Sequence, residues 1–249
     1  FLAIVSHELR TPLTSILGWA TLLRMGGIGE EQQNEALETI ERNARAQAQL
    51  VGDILDVSRI VTGKMQLDLQ PLQLSNVVMT SLDTLRPAVE AKNLRLTLHL
   101  DAQQTGIRGD AARLHQVIAN LVGNAIKFTE NGGEIEVSLR RNDCGEIELA
   151  VRDSVNGIAP DFLWLGFDRY RQRQSPSTRR HGGLGLGLSI VRHLVELHGG
   201  TVHAHSAGEG QGATFTLRFP AHEPDASTHD AQKNRFSTQN DAPRGPLYG

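Results

Sequence analysis

The sequence predicts an α+β architecture, an N-terminal helical hairpin followed by an α/β sandwich. Three observations predict it: an apolar residue every seven positions through the first sixty residues, period-two alternation in several later segments, and strongly apolar helical stretches between those segments. At 249 residues the chain suits one large domain or two ordinary ones. Hydrophobic residues make up 39% and aromatics only 4%, so a core is affordable but must be built from Leu, Ile, Val and Ala.

In the first helix Leu2, Leu9, Ile16 and Leu23 form one seam, and Leu13 and Ala20 fill a second. Pro12 removes one ladder hydrogen bond and should kink it. Gly26-Gly27-Ile28-Gly29 breaks the pattern. The second helix carries Leu37, Ala44 and Val51 on one seam and Ile40, Ile54 and Val61 on the other, interrupted by Gln47. Two such helices form an antiparallel hairpin with an apolar stripe left over, and pairing of two hairpins into a four-helix bundle is the simplest way to bury it.

Gly63 ends the hairpin, and residues 64–70 alternate as a strand would. Ser75 is placed to cap a helix to about Lys92, and Leu94 to Leu100 alternate again. Asp110 is placed to cap an apolar helix to Phe128. Glu134–Arg141 and Glu146–Asp153 read as paired strands. Residues 154–187 lack periodicity, Leu188–His198 reads as a helix, and Thr201–Ser206 and Ala213–Phe219 as closing strands. After Pro220 the chain is polar and proline-rich. The expected division is 1–62, 63–221, and a tail or linker over 222–249.

Charge and composition exclude several functions. The 25 Lys+Arg against 28 Asp+Glu leave a net charge of −3, which argues against a surface for nucleic acid or an anionic membrane. Cys144 is the single cysteine, so there is no internal disulfide framework and no multi-cysteine metal site. His193, His198, His203 and His205 lack the carboxylate or cysteine spacing of a metal centre. No stretch approaches ~18 consecutive apolar residues, so no membrane contact is expected of this chain. It opens without an initiator Met or signal peptide and reads as an excised, cytoplasmic piece, whose parent could be anchored upstream.

Four motifs carry chemistry. In Ser6-His7-Glu8-Leu9-Arg10-Thr11-Pro12-Leu13, His7 falls between seam positions and should face solvent, where a neutral imidazole is a good nucleophile. A chemically silent surface histidine is the alternative. Asn120, Asn124 and Lys127 lie at i, i+4 and i+7 on one face of an otherwise apolar helix. Two carboxamides and an ammonium suit hydrated Mg²⁺ and phosphate oxygens, or else a polar stripe that caps neighbouring loops. Asp153 ends a strand before Ser154-Val155-Asn156-Gly157-Ile158, and could read an exocyclic amine or close an Asx turn. Gly182-Gly183-Leu184-Gly185-Leu186-Gly187 leads into a helix, where backbone amides can close on phosphate; a hinge is the alternative. It fits neither the dinucleotide fingerprint nor the Walker loop. Five arginines from Arg169 to Arg180 precede it.

In this order the motifs resemble the kinase core of bacterial two-component sensor histidine kinases. The H box is Ser6–Thr14, the N box Asn120–Thr129, a degraded G1 box Asp153–Ile158, the F box Phe167-Asp168-Arg169-Tyr170, and the G2 box Gly182–Gly187. The resemblance covers residue 1 to about 220. It implies a dimerisation and phosphoacceptor hairpin followed by an ATP-binding fold of the Hsp90/gyrase/histidine-kinase type. It further implies that His7 accepts the γ-phosphate of ATP, with Glu8 as neighbouring base and Thr11 serving a reverse, phosphatase reaction. Asn124 and Asn120 would hold Mg²⁺, Lys127 would touch phosphate, and Asp153 would read adenine. Gly157, Ile158, Phe167, Tyr170, Gly183, Leu184, Gly185, Leu186, Gly187 and Thr214 would complete the nucleotide site. The implied partners are a second copy, through residues 1–62, and a response-regulator receiver domain, separate or fused downstream. One departure stands out: Val155 occupies a glycine position of the family's Asp-x-Gly-x-Gly pattern, so a dimeric scaffold that binds nucleotide poorly is the alternative.

Overall fold

The computed structural model describes residues 2–101, 105–154, 185–206, 208 and 212–222. Helix α1 (Leu2–Met25) runs unbroken through Pro12, and α2 (Glu30–Val61) packs back along it. Gly26 and Gly27 take φ of 73° and 83° in the turn, where a side chain would be strained. The predicted seams divide the work. Val5, Pro12 and Ala36 are buried and Leu9, Ile16, Ile40 and Ile54 half-buried, whereas Leu13, Leu17, Leu37, Val51 and Leu55 stand exposed. One seam closes the hairpin and the other is left open.

The strand expected over 64–70 does not form. Strand β1 is Gln70–Gln73, and it pairs antiparallel with β3 (Gly106–Gly109), which the sequence reading missed. Residues 64–69 alternate because Met65 is buried and Leu67 half-buried against the core, so the pattern reports one-sided burial without a ladder. Helix α3 (Leu74–Ala91) begins with Gln73 at its cap. Ser75, expected there, is buried inside the first turn, and its hydroxyl accepts from Thr105 at 3.1 Å.

Strands β2 (Arg95–Leu100), β4 (Glu134–Arg141), β5 (Ile147–Asp153), β6 (Thr201–His205) and β7 (Ala213–Phe219) form one sheet in the order β2-β4-β5-β7-β6. The β2–β4 pair is parallel and the others antiparallel. Helices α3, α4 (Ala111–Phe128) and α5 (Gly187–Leu197) make the second layer. Alternation sends Ile135, Val137, Leu139, Leu149, Val151, Phe215 and Leu217 into the core between the layers. On the outer face Glu148 is clamped by Arg140 at 2.7 Å and Arg218 at 3.0 Å, and chiefly the Arg140 hydrogen bond holds its carboxyl below the usual range.

The hairpin and the sandwich share one hydrophobic core, since Val5, Val57, Ile60 and Met65 belong to the same buried cluster as the helices above the sheet. A polar contact sits beside it. Asp56 of α2, 6% exposed, accepts from Arg113 at 2.9 and 3.1 Å and from Gln116 at 2.8 Å, both on α4.

Candidate functional site

Helix α4 is the centre of the site, and its start is fixed as expected: Asp110 accepts from the backbone N–H groups of Ala112 and Arg113 at 3.0 and 3.2 Å. Leu114, Val117, Ile118, Leu121, Val122, Ala125 and Ile126 bury its apolar face. That leaves Asn120, Asn124 and Lys127 on the half-buried margin of the helix. The amide nitrogen of Asn120 is buried and has no hydrogen-bond partner among the described residues. An orphaned buried donor of this kind asks for a ligand or water.

Gly187 supplies the facing wall. It opens α5, and a β-carbon placed on it would lie 3.6 Å from the Asn120 amide. The residue before it, Leu186, is buried and offers no side-chain cap to the first turn. The uncapped N–H groups at that helix end carry partial positive charge beside the orphaned amide, an arrangement that suits an anion. Gly185 supports the turn with φ of 66°. Asp153 ends β5 on the helix-facing side of the sheet and accepts from the Ala213 N–H at 3.2 Å.

Thr214 stands apart from this group. In the β5–β7 register the partner of Asp153 is Ala213, while Thr214 pairs with Arg152. Period two sends Thr214 to the helix-free face, where it lines a groove of about 380 Å³ with Glu136, Ser138, Arg152 and His205. From the segment Gly212-Ala213-Thr214-Phe215 the sequence reading marked Thr214 for the site, whereas Ala213 and Gly212 lie against Asp153, and a β-carbon on Gly212 would collide with the Asp153 carbonyl oxygen. Strand parity, counted back from Phe215, was the signal that could have found Ala213.

His7 is exposed on α1, and the Thr11 hydroxyl donates to the His7 carbonyl at 3.1 Å. The hairpin and α4 meet here as well. Burial pushes the Lys127 ammonium below the ordinary lysine value, and the Glu8 carboxylate is near enough to pull it back up. Val155, Gly157, Ile158, Phe167, Tyr170, Gly183 and Leu184 lie outside the described residues.

Comparison with known proteins assigns both units. Residues 1–63 match the His Kinase A (phospho-acceptor) domain, and residues 109–223 match the histidine kinase-, DNA gyrase B-, and HSP90-like ATPase family. The chain belongs to the histidine kinases. Among relatives of this kinase, hybrid signal transduction histidine kinase D of Dictyostelium discoideum is 37% identical over 244 residues, which is 96% of this chain and 16% of the relative. BarA, a signal transduction histidine-protein kinase of Escherichia coli, is 39% identical over 219 residues, 86% of this chain and 24% of its own. CikA, a circadian input-output histidine kinase of Synechococcus elongatus, is 37% identical over 224 residues, 88% of this chain and 29% of its own. The kinase core therefore spans less than a third of each of these relatives.

Solved structures agree on the fold. Full-length ShkA in complex with AMPPNP superposes with a TM-score of 0.67 at 30% identity, over 90% of this chain and 46% of that one. The Acinetobacter baumannii histidine kinase AdeS gives 0.64 at 24% identity, over 87% of this chain and 98% of that one. Among the described residues of the kinase, no helix is long and apolar enough to cross a membrane. With the hairpin matched to the phospho-acceptor domain, the sandwich to the ATPase family and the relatives to histidine kinases, the silent-scaffold alternative is not favoured.

Proposed function

We propose that this core, 1–62 as phosphoacceptor hairpin and 63–221 as catalytic unit, transfers the γ-phosphoryl group of ATP to His7. The observation that carries the reading is the orphaned Asn120 amide facing the uncapped start of α5 at Gly187, a phosphate cradle on the chain that also bears an exposed His7. A ring nitrogen of His7 attacks the γ-phosphorus; a P–N bond forms, the bond to the bridging oxygen breaks, and ADP leaves. The ring proton passes to Glu8. Lys127 and the amides at Gly185–Gly187 neutralise charge on the phosphates, since such a transfer depends mainly on positioning and electrostatics.

The donor set also fits Mg²⁺. Asn120 and Asn124 sit side by side on one helix face and offer the neutral oxygens that this ion accepts. When bound, Mg²⁺ would supply further charge neutralisation at the phosphates. Asp153 would accept from the adenine amino group. The exposed apolar seam of Leu13, Leu17, Leu37, Val51 and Leu55 would pair with a second hairpin, and the phosphoryl group would pass on to an aspartate of a response-regulator receiver domain in the cytoplasm.

The test is incubation with γ-labelled ATP and Mg²⁺. Acid-labile, base-stable label is expected on the native chain and none on His7→Gln, with ATP affinity retained. Label that persists in His7→Gln removes the assignment of His7. A second reaction is expected at Thr11. Its hydroxyl proton is committed to the His7 carbonyl, so it presents acceptor lone pairs to a water beside His7. Thr11→Ala should lower dephosphorylation of the phosphorylated regulator and spare labelling; equal loss of both would assign Thr11 to helix shape alone.

A further inference from the structure

We infer that Lys92 is a positioning residue for the phosphate end of the nucleotide site, acting through the last turn of α4; the inference rests on the nucleotide reading proposed above. Lys92 follows α3, where a Schellman motif fixes it. The Leu94 N–H bonds the Val89 carbonyl at 3.0 Å and the Asn93 N–H bonds that of Glu90 at 2.9 Å, with Asn93 in the left-handed region at φ of 51°. The Lys92 carbonyl accepts from the Gly132 N–H at 3.1 Å. Its side chain then reaches the end of the neighbouring helix. The ammonium donates to the carbonyls of Ile126, Lys127 and Thr129 at 2.8, 3.0 and 3.1 Å.

Three donors thus meet three acceptors, all at the C-terminal end of the helix that carries Asn120, Asn124 and Lys127. Two consequences follow. The backbone of Lys127 itself is held, which fixes where its half-buried side chain starts. And the helix end, which presents roughly half a negative charge, is neutralised by a full positive one. Without that cation, the negative end of α4 would oppose the polyphosphate that its own Asn124 and Lys127 are placed to receive. The Lys92 ammonium is spent on carbonyls, so it does not itself contact nucleotide.

The experiment is calorimetric titration of the whole chain with Mg²⁺–ATP and, separately, with adenosine, for the native protein, Lys92→Met and Lys92→Arg. Lys92→Met should weaken ATP binding about tenfold while leaving adenosine unchanged, because only the phosphate end is disturbed. Lys92→Arg, which keeps charge and donors, should restore most of the affinity. The KM for ATP in the labelling reaction should rise in step. Where Lys92→Met fails to fold, Lys92→Gln provides the same comparison, with a donor kept and the charge removed. A variant without the charge that melts earlier yet binds ATP as the native chain does would make Lys92 a helix cap only and overturn the inference. A native chain that binds no ATP overturns the nucleotide reading, and this inference with it.

Discussion

Single residues set the chemistry, and two of them can be titrated or reverted. His198 is buried, donates from Nδ1 to the Leu194 carbonyl at 2.7 Å and accepts at Nε2 from the Asp110 N–H at 3.0 Å. That pair of bonds requires the neutral ring, and burial lowers its pKa from the ordinary value of 6.5. The folded state therefore binds fewer protons than the unfolded one between the two values, so stability is full above about 6.5 and falls as pH drops toward the lowered value. The melting temperature should fall across that window, and the slope should flatten in His198→Gln; an unchanged slope would assign the effect to other groups. Val155 offers the other test. A β-branched residue where the family pattern has glycine can cost on the order of 1–3 kcal/mol, so Val155→Gly should tighten ATP binding by about tenfold or more in calorimetry. The residues nameable from sequence, His7, Asn124 and Asp153, are candidates because their side-chain types suit the proposed chemistry. Lys92 escaped because nothing in a lone lysine after a helix shows which carbonyls it will meet 34 residues later.

At the scale of elements, long periodic segments were legible and short ones were not. Strand β4 falls on the residues its alternation marked, and α4 starts where Asp110 said it would. Strands β1 and β3 have four residues each, too few for a period to show, and they exist because they pair with each other. The alternation of 64–70 misled because a chain lying along a core alternates in burial whether or not it is hydrogen-bonded to a neighbour. Asp110 also links elements, since its carboxylate accepts from the Asp68 N–H at 3.2 Å as well as capping α4. Asp110→Ala should cost about 1–2 kcal/mol of stability in urea titration and should loosen the joint between β3 and α4. A change within a few tenths of a kcal/mol would show that water replaces the cap.

For the whole molecule, the open seam of the hairpin and its closed one predict different failures. Val51→Glu, on the exposed seam, should give a folded monomer by light scattering; Leu9→Glu, half-buried inside the hairpin, should lose helicity as well. Dimers from Val51→Glu would place the interface elsewhere. Asp56→Ala should be costly, because it leaves the Arg113 guanidinium partly buried without its carboxylate, a loss of roughly 2–4 kcal/mol that limited proteolysis between the units would report. The same joint has a thermal signature. Lifting the catalytic unit off its seat would wet Val57, Ile60 and Met65, and wetting apolar surface raises heat capacity. The balance between seated and lifted units is then a curved function of temperature, and warming releases the unit more steeply the further it proceeds. A core built this way would couple the seating of its catalytic unit to temperature through the wetting of Val57, Ile60 and Met65.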